Sequence, residues 1–252
     1  MIERWAISIG LVLLWGAPAL AKDIALTFGS PPAKTTTAQT PRTDAVNLSF
    51  TPKPSTQPTD TSLPKAPITQ IVRHTLDALF HGGSHSLVAR AGGSAEGTRT
   101  PDGGYTAAYD GHVDPGNQKW NLGSFSYQHG ATTPAAADAK QLKRLYNQAL
   151  TLRQQAHHHQ VTLSLEEELN GIDLANQAPL AALDRGYIDW LAVAKQQSMA
   201  ERDRILWART HAFLDPDSGY WDAPGLGNTL NSIRWDQARR QQAVQQAIEL
   251  NQ

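Results

Sequence analysis

Apolar residues recur at helical spacing along most of the chain beyond residue 68, and each run is closed by a recognisable stop or start signal. Ile71, Val72, Leu76, Leu79 and Phe80 form one stripe that opens at Ile68 and ends at Gly82-Gly83, predicting a first helix. Leu87, Val88, Ala91 and Ala95 predict a short second helix from Ser86 to Ala95, in which Gly92-Gly93 allows close approach of another backbone. Glu96 then stands at its C-terminal end. Thr133 and Pro134 suit the cap and first position of a helix whose stripe of Leu142, Leu145, Tyr146, Ala149 and Leu152 runs toward Ala156. Ser164 with Glu167, and Ser198 with Glu201, both fit the Ser-x-x-Glu capping box and predict two further helix starts. Ala181 to Ala194 reads as an apolar helix between them. A last helix spans Ser232 to Leu250, with Ile233, Ala238, Val244 and Ile248 buried. The pattern predicts a mainly α fold of six to seven helices around one short irregular or β-hairpin segment.

The residues before this region change the picture of where the fold operates. Arg4, the apolar run Trp5 to Trp15 and Ala19-Leu20-Ala21 have the order of a secretory signal peptide over residues 1–21, so the chain is expected to be exported, to a periplasm or the extracellular space, without stable membrane insertion after cleavage. Residues 22–67 are dominated by Pro, Thr, Ser, Ala and Gln, a composition that predicts an extended, disordered linker. The helical domain is then expected over 68–252, long enough for one core. There is no cysteine, so neither disulfides nor a thiolate metal site hold it. A net charge of −1 argues against a basic, nucleic-acid-binding surface.

Chemistry concentrates after the second helix. Glu96 sits where a helix dipole disfavours negative charge, the setting a general acid needs, although a local pairing with Arg90 or Arg99 is the plainer reading of a lone glutamate. From Gly103 to Gly130 the chain is rich in turn formers, aromatics and hydrogen-bonding groups and poor in aliphatics. Tyr109 and Tyr127 are expected to face a sugar-binding cleft, with Trp120 and Phe125 packing the loop down. Asn121 and Gln128 are expected to read hydroxyl or amide groups.

Gly93-Ser94-Ala95-Glu96-Gly97-Thr98 followed by a tyrosine-bearing, glycine-rich loop resembles the start of phage lambda-type muramidases of the lysozyme-like superfamily. Gly123-Ser124-Phe125-Ser126-Tyr127-Gln128 is similar to the glycine-to-glutamine segment that follows the catalytic glutamate of lytic transglycosylases. The resemblance spans about Leu87 to Gly130. It implies an α+β lysozyme-like fold, a polysaccharide substrate such as peptidoglycan, no cofactor, Glu96 as the proton donor to the glycosidic oxygen, and Tyr109 and Gln128 in the cleft. A non-catalytic carbohydrate-binding or envelope protein on the same fold is the alternative, favoured if Glu96 is buried against an arginine.

Other groups compete for a role. Asp110, His112 and Asp114 share one face if extended, and read as a turn scaffold, as substrate contacts with a second catalytic carboxylate, or as a cation site. His157-His158-His159 point in different directions on a helix and suit a solvated C-terminus. Glu166, Glu167 and Glu168 fit a charged first turn. Tyr220 to Asn228 is either a second wall of the cleft or a lid on the core.

Overall fold

A computed structural model describes residues 75–251, and the expected signal peptide, linker and first turns of the opening helix, with Ile71 and Val72, lie outside the described residues. Nine α-helices lie among the described residues: α1 (Leu76–Phe80), α2 (Leu87–Glu96), α3 (Ala107–Asp110), α4 (Pro134–His158), α5 (Leu165–Gln177), α6 (Pro179–Leu183), α7 (Tyr187–Gln196), α8 (Glu201–His211) and α9 (Leu230–Asn251). Between α3 and α4 a two-stranded antiparallel hairpin, β1 (His112–Val113) and β2 (Trp120–Asn121), pairs His112 with Asn121 and Val113 with Trp120. The molecule is thus mainly helical, as the periodicity predicts. None of the described helices is long and apolar enough to cross a membrane.

Helix α2 is central because its surface is made of small residues. Val88, Ala89, Ala91, Gly92, Gly93, Ser94 and Ala95 are all buried, and the helix packs against α9, α5 and α1. Gly92 is required by the loop below it, since a Cβ there would meet Cε1 of the buried Phe125 ring at 2.7 Å. Gly92→Ala is therefore expected to destabilise the fold by about 1–3 kcal/mol through overpacking, read from the urea midpoint; an unchanged midpoint would show that the ring moves freely.

Helix α5 is the other central element, and it is laced with polar groups. Every residue from Glu167 to Ala175 is buried. The capping box at Ser164 forms as expected, with the Ser164 side chain accepting from Glu167 N at 3.1 Å and Glu167 Oε2 accepting from Ser164 N at 2.8 Å. Glu167 has a wider role, because its two oxygens also take Lys195 Nζ at 2.7 Å and Arg204 Nε at 2.6 Å. Glu168 is likewise buried against Arg153. These acids hold α5 to its neighbours and are not a solvated first turn.

Three expectations change. The helix expected over Ala181–Ala194 is broken, because Arg185 N and Asp184 N both return to Leu180 O and Gly186 takes a left-handed φ of 89° before α7 starts. Ser198 does not cap α8: at φ 55° it belongs to the turn that closes α7, with Ser198 N on Lys195 O and Met199 N on Ala194 O, and Ala200 takes the cap position instead. The polar loop contains a one-turn helix, α3. Together the break and α3 raise the helix number above the expected six to seven.

Candidate functional site at the end of helix α2

The Glu-Gly-Thr-Arg sequence folds into a helix end that holds the loop in place. Gly97 takes φ 76°, and Gly93 O accepts from both Thr98 N and Arg99 N at 3.0 Å, so the chain turns sharply after Glu96. The buried Thr98 hydroxyl donates to Ser124 O at 2.6 Å. Arg99, also buried, donates to Ser124 Oγ at 2.7 Å, to Ser84 O at 2.6 Å and to Gly103 O at 3.0 Å. Asp138 from α4 completes this hub by accepting from Ser124 N and Oγ at 2.6 and 2.8 Å. The segment Gly123–Gln128 is thereby tied to the C-terminal end of α2.

Glu96 itself meets two helices far away in sequence. Its Oε1 accepts from Asn176 Nδ2 at 2.9 Å and from Arg240 Nη2 at 2.7 Å, and Asn176 Nδ2 also lies 3.5 Å from Phe125 O. Among the described residues no donor meets Oε2. The Glu96 side chain is 16% exposed and that of Arg240 is 5% exposed. Neither Arg90 nor Arg99, the local partners weighed from sequence, takes the carboxylate.

Behind Arg240 lies a buried ion cluster. Arg240 also donates to both oxygens of Asp173, at 3.0 and 2.7 Å, while Arg209 donates to Asp173 Oδ2 at 2.8 Å and to Asn170 and Gln237. Two guanidinium groups thus face two carboxylates, a balance that makes burial tolerable. Burial alone would raise the Asp173 carboxyl, but Arg240 and then Arg209 overcome it and hold it below the usual carboxylate range. Burial works against the Arg240 charge, and Asp173 and Glu96 more than offset it, so its pKa is raised. Asp236, one turn before Arg240, accepts from Gln177 and Gln237 on one oxygen and from Arg239 on the other.

The loop residues singled out from sequence occupy other positions. Tyr109 is buried, its ring 4.1 Å from that of Tyr105 and its hydroxyl 3.5 Å from Asp138, so it packs the hub and presents no face to a ligand. Burial, then Asp138, push its pKa up to about 12. Asp110 is exposed at the end of α3, and His112 Nδ1 lies 3.0 Å from Ala108 O. Asp114 Oδ1 accepts from Gly116 N at 2.6 Å and Asn117 N at 3.3 Å, which makes it a turn residue. These three span a helix end, a strand and a turn, so the shared face expected of an extended piece does not form. Among the described residues no group of three His, Asp or Glu is placed to hold a metal ion.

Asn121 is buried with Oδ1 lacking a partner among the described residues. Tyr127 is half-buried, 5.3 Å from the His129 ring, with Lys140 Nζ 5.9 Å from its centroid. Gln128 is exposed and accepts from Asn117 Nδ2 at 2.9 Å. Among the described residues none of these loop side chains hydrogen-bonds Glu96. Phe125 is buried as expected, whereas Trp120 is 56% exposed and lies over Gly111, where a Cβ would meet its ring at 2.2 Å. His159 Nε2 pairs with Asp189 at 2.6 Å at the solvent-facing end of α4. In the Tyr220–Asn228 segment Tyr220 is exposed while Ala223 is buried in the core, so the segment is anchored at one point and open at another.

Asn176, Asp173 and Arg240 are the site residues that sequence reasoning missed. Their residue types carry no local signal; the hint available was polar side chains at positions of α5 and α9 that the apolar stripe should occupy. No family model, curated protein or solved structure matches this chain.

Proposed function

We propose that this chain is an exported, lysozyme-like enzyme that cleaves a β-linked amino-sugar polymer, peptidoglycan first among them, with Glu96 as its single general acid and base. The observation that carries this reading is the asymmetric hold on the carboxylate: Oε1 is fixed by Asn176 and Arg240, and Oε2 has no protein donor among the described residues. A proton carrier needs this combination of a locked orientation and one oxygen free for the substrate. The clamped Gly123–Gln128 segment reaches this site through Phe125 O, 3.5 Å from Asn176 Nδ2.

The two acids nearest in the network have both oxygens engaged, Asp173 by arginines and Asp236 by Gln177, Gln237 and Arg239. A retaining or inverting hydrolase of the two-carboxylate kind needs a second open acid. The single-glutamate route, in which the substrate's own hydroxyl attacks and Glu96 returns as base, fits better. Digestion of peptidoglycan is therefore expected to yield products with cyclised, non-reducing anhydro ends, read by mass spectrometry; reducing ends alone would place the reaction with the hydrolases.

One observation favours a second reading, a non-catalytic glycan-binding or envelope protein. Arg240 bridges Glu96 to Asp173, so Glu96 also completes a buried ion cluster. The two readings separate in one experiment: purified protein either releases soluble fragments from peptidoglycan, and Glu96→Gln abolishes the release, or binds the glycan and releases nothing.

A further inference from the structure

Trp235 is one of the most exposed large hydrophobic side chains among the described residues, at 71%, and it is displayed on α9 rather than on a loop. A lone exposed indole is ordinary on a protein surface, and what gives this one meaning is its neighbours on α9. Trp235 and Arg239 are four residues apart and so share one helix face. Arg239 Nη1 donates to Ala95 O at 3.0 Å, the carbonyl immediately before Glu96, and Nη2 donates to Asp236 Oδ1 at 3.1 Å. That face of α9 is thus bound to the same helix end that presents Glu96. Arg240, which holds the Glu96 carboxylate, lies five residues beyond Trp235, about 7.5 Å along the axis but about 140° around it, so Trp235 is linked to this end of α2 through Arg239.

The two side chains offer complementary chemistry. The indole is a flat apolar surface of the kind that stacks on the C–H face of a pyranose ring. Arg239 is 45% exposed and already oriented by its two protein acceptors, and its Nε–H has no acceptor among the described residues. A guanidinium preorganised in this way recognises a carboxylate. We infer that Trp235 and Arg239 form a glycan-binding ledge beside Glu96 that selects a sugar bearing a carboxylate.

This ledge rests on the reading of Glu96 as the site of glycan cleavage, and it is tested by binding, which is measured independently of turnover. Two probes share a β-linked amino-sugar backbone and differ in charge: chitin oligosaccharide, which is neutral, and peptidoglycan strands stripped of peptide, which expose a carboxylate on alternate sugars. Both are titrated against the full chain and its Glu96→Gln form by calorimetry. Trp235→Ala is expected to weaken both complexes about tenfold, and Arg239→Gln to weaken only the acidic strand. Thermal melts within a few degrees of the parent establish that each variant is folded, and Trp235→Phe is expected to recover part of the loss. Equal affinity of Trp235→Ala and parent for both probes, or an equal loss on both probes in Arg239→Gln, overturns the ledge. Persistent turnover in Glu96→Gln instead overturns the cleavage reading and leaves the binding result to stand or fall by itself.

Discussion

On the proposed reading, Glu96→Gln is expected to lower glycan turnover by about 10²–10⁴-fold, the contribution of a positioned proton carrier. The substitution keeps the shape of the side chain and an Oε1 able to accept from Asn176 and Arg240, at 2.9 and 2.7 Å in the parent. What it removes is the capacity of the group to give and take a proton, together with the charge it sets against Arg240 when ionised. Because the Glu96 side chain is partly exposed, the stability loss is expected to be no more than about 1–3 kcal/mol, leaving a cooperative melt. Turnover of purified peptidoglycan, followed by release of soluble fragments, checks the prediction. Unaltered turnover with an intact melt would sink the catalytic assignment and leave the ion cluster as the sole role of Glu96.

Replacing Asp173 has the larger effect on the fold. Asp173 is 2% exposed, and its carboxylate is the shared partner of Arg209, itself fully buried, and Arg240. Asp173→Ala leaves the buried Arg209 with no carboxylate and Arg240 with Glu96 alone, and is expected to cost about 3–5 kcal/mol. Against a total stability of about 5–15 kcal/mol for a domain, this brings the protein close to unfolding. Urea denaturation followed by circular dichroism reads the change, and a loss below about 1 kcal/mol would show that water or local motion neutralises the cluster.

The same cluster sets an acid limit. The Asp173 carboxyl is held below its ordinary value, so the unfolded chain binds the proton more readily than the native one. Its contribution is present in full above the ordinary carboxylate range and is lost as pH falls through the lower native value.

The features legible in sequence are those whose causes lie within a few residues. Ser164 and Glu167 form their capping box, Thr133 and Pro134 start α4, and Gly97 stops α2, because each bond joins atoms no more than one helical turn apart. Local patterns fail where two elements compete for the same residues. Ser198 matches the capping pattern but is already used to close α7, and the apolar run through Ala194 does not register that Gly186 must adopt a left-handed backbone. Tyr109 illustrates a related limit: an aromatic ring in a polar loop suits a cleft or a core equally, and the presence of Asp138 and Tyr105 beside it decided for burial.

From the sequence by itself came the helical class, the main helix boundaries, and the choice of Glu96 as the acid to follow, since periodicity, capping chemistry and the position of a carboxylate at a helix end are local properties of the chain. Only the tertiary structure decided what Glu96 touches. Arg240 lies 144 positions away and Asn176 lies 80, and nothing in the intervening residues encodes a contact that arises from the packing of α2 against α5 and α9. Burial then gives that contact its weight, because a guanidinium excluded from water must find carboxylates, and the fold supplies Asp173 and Glu96.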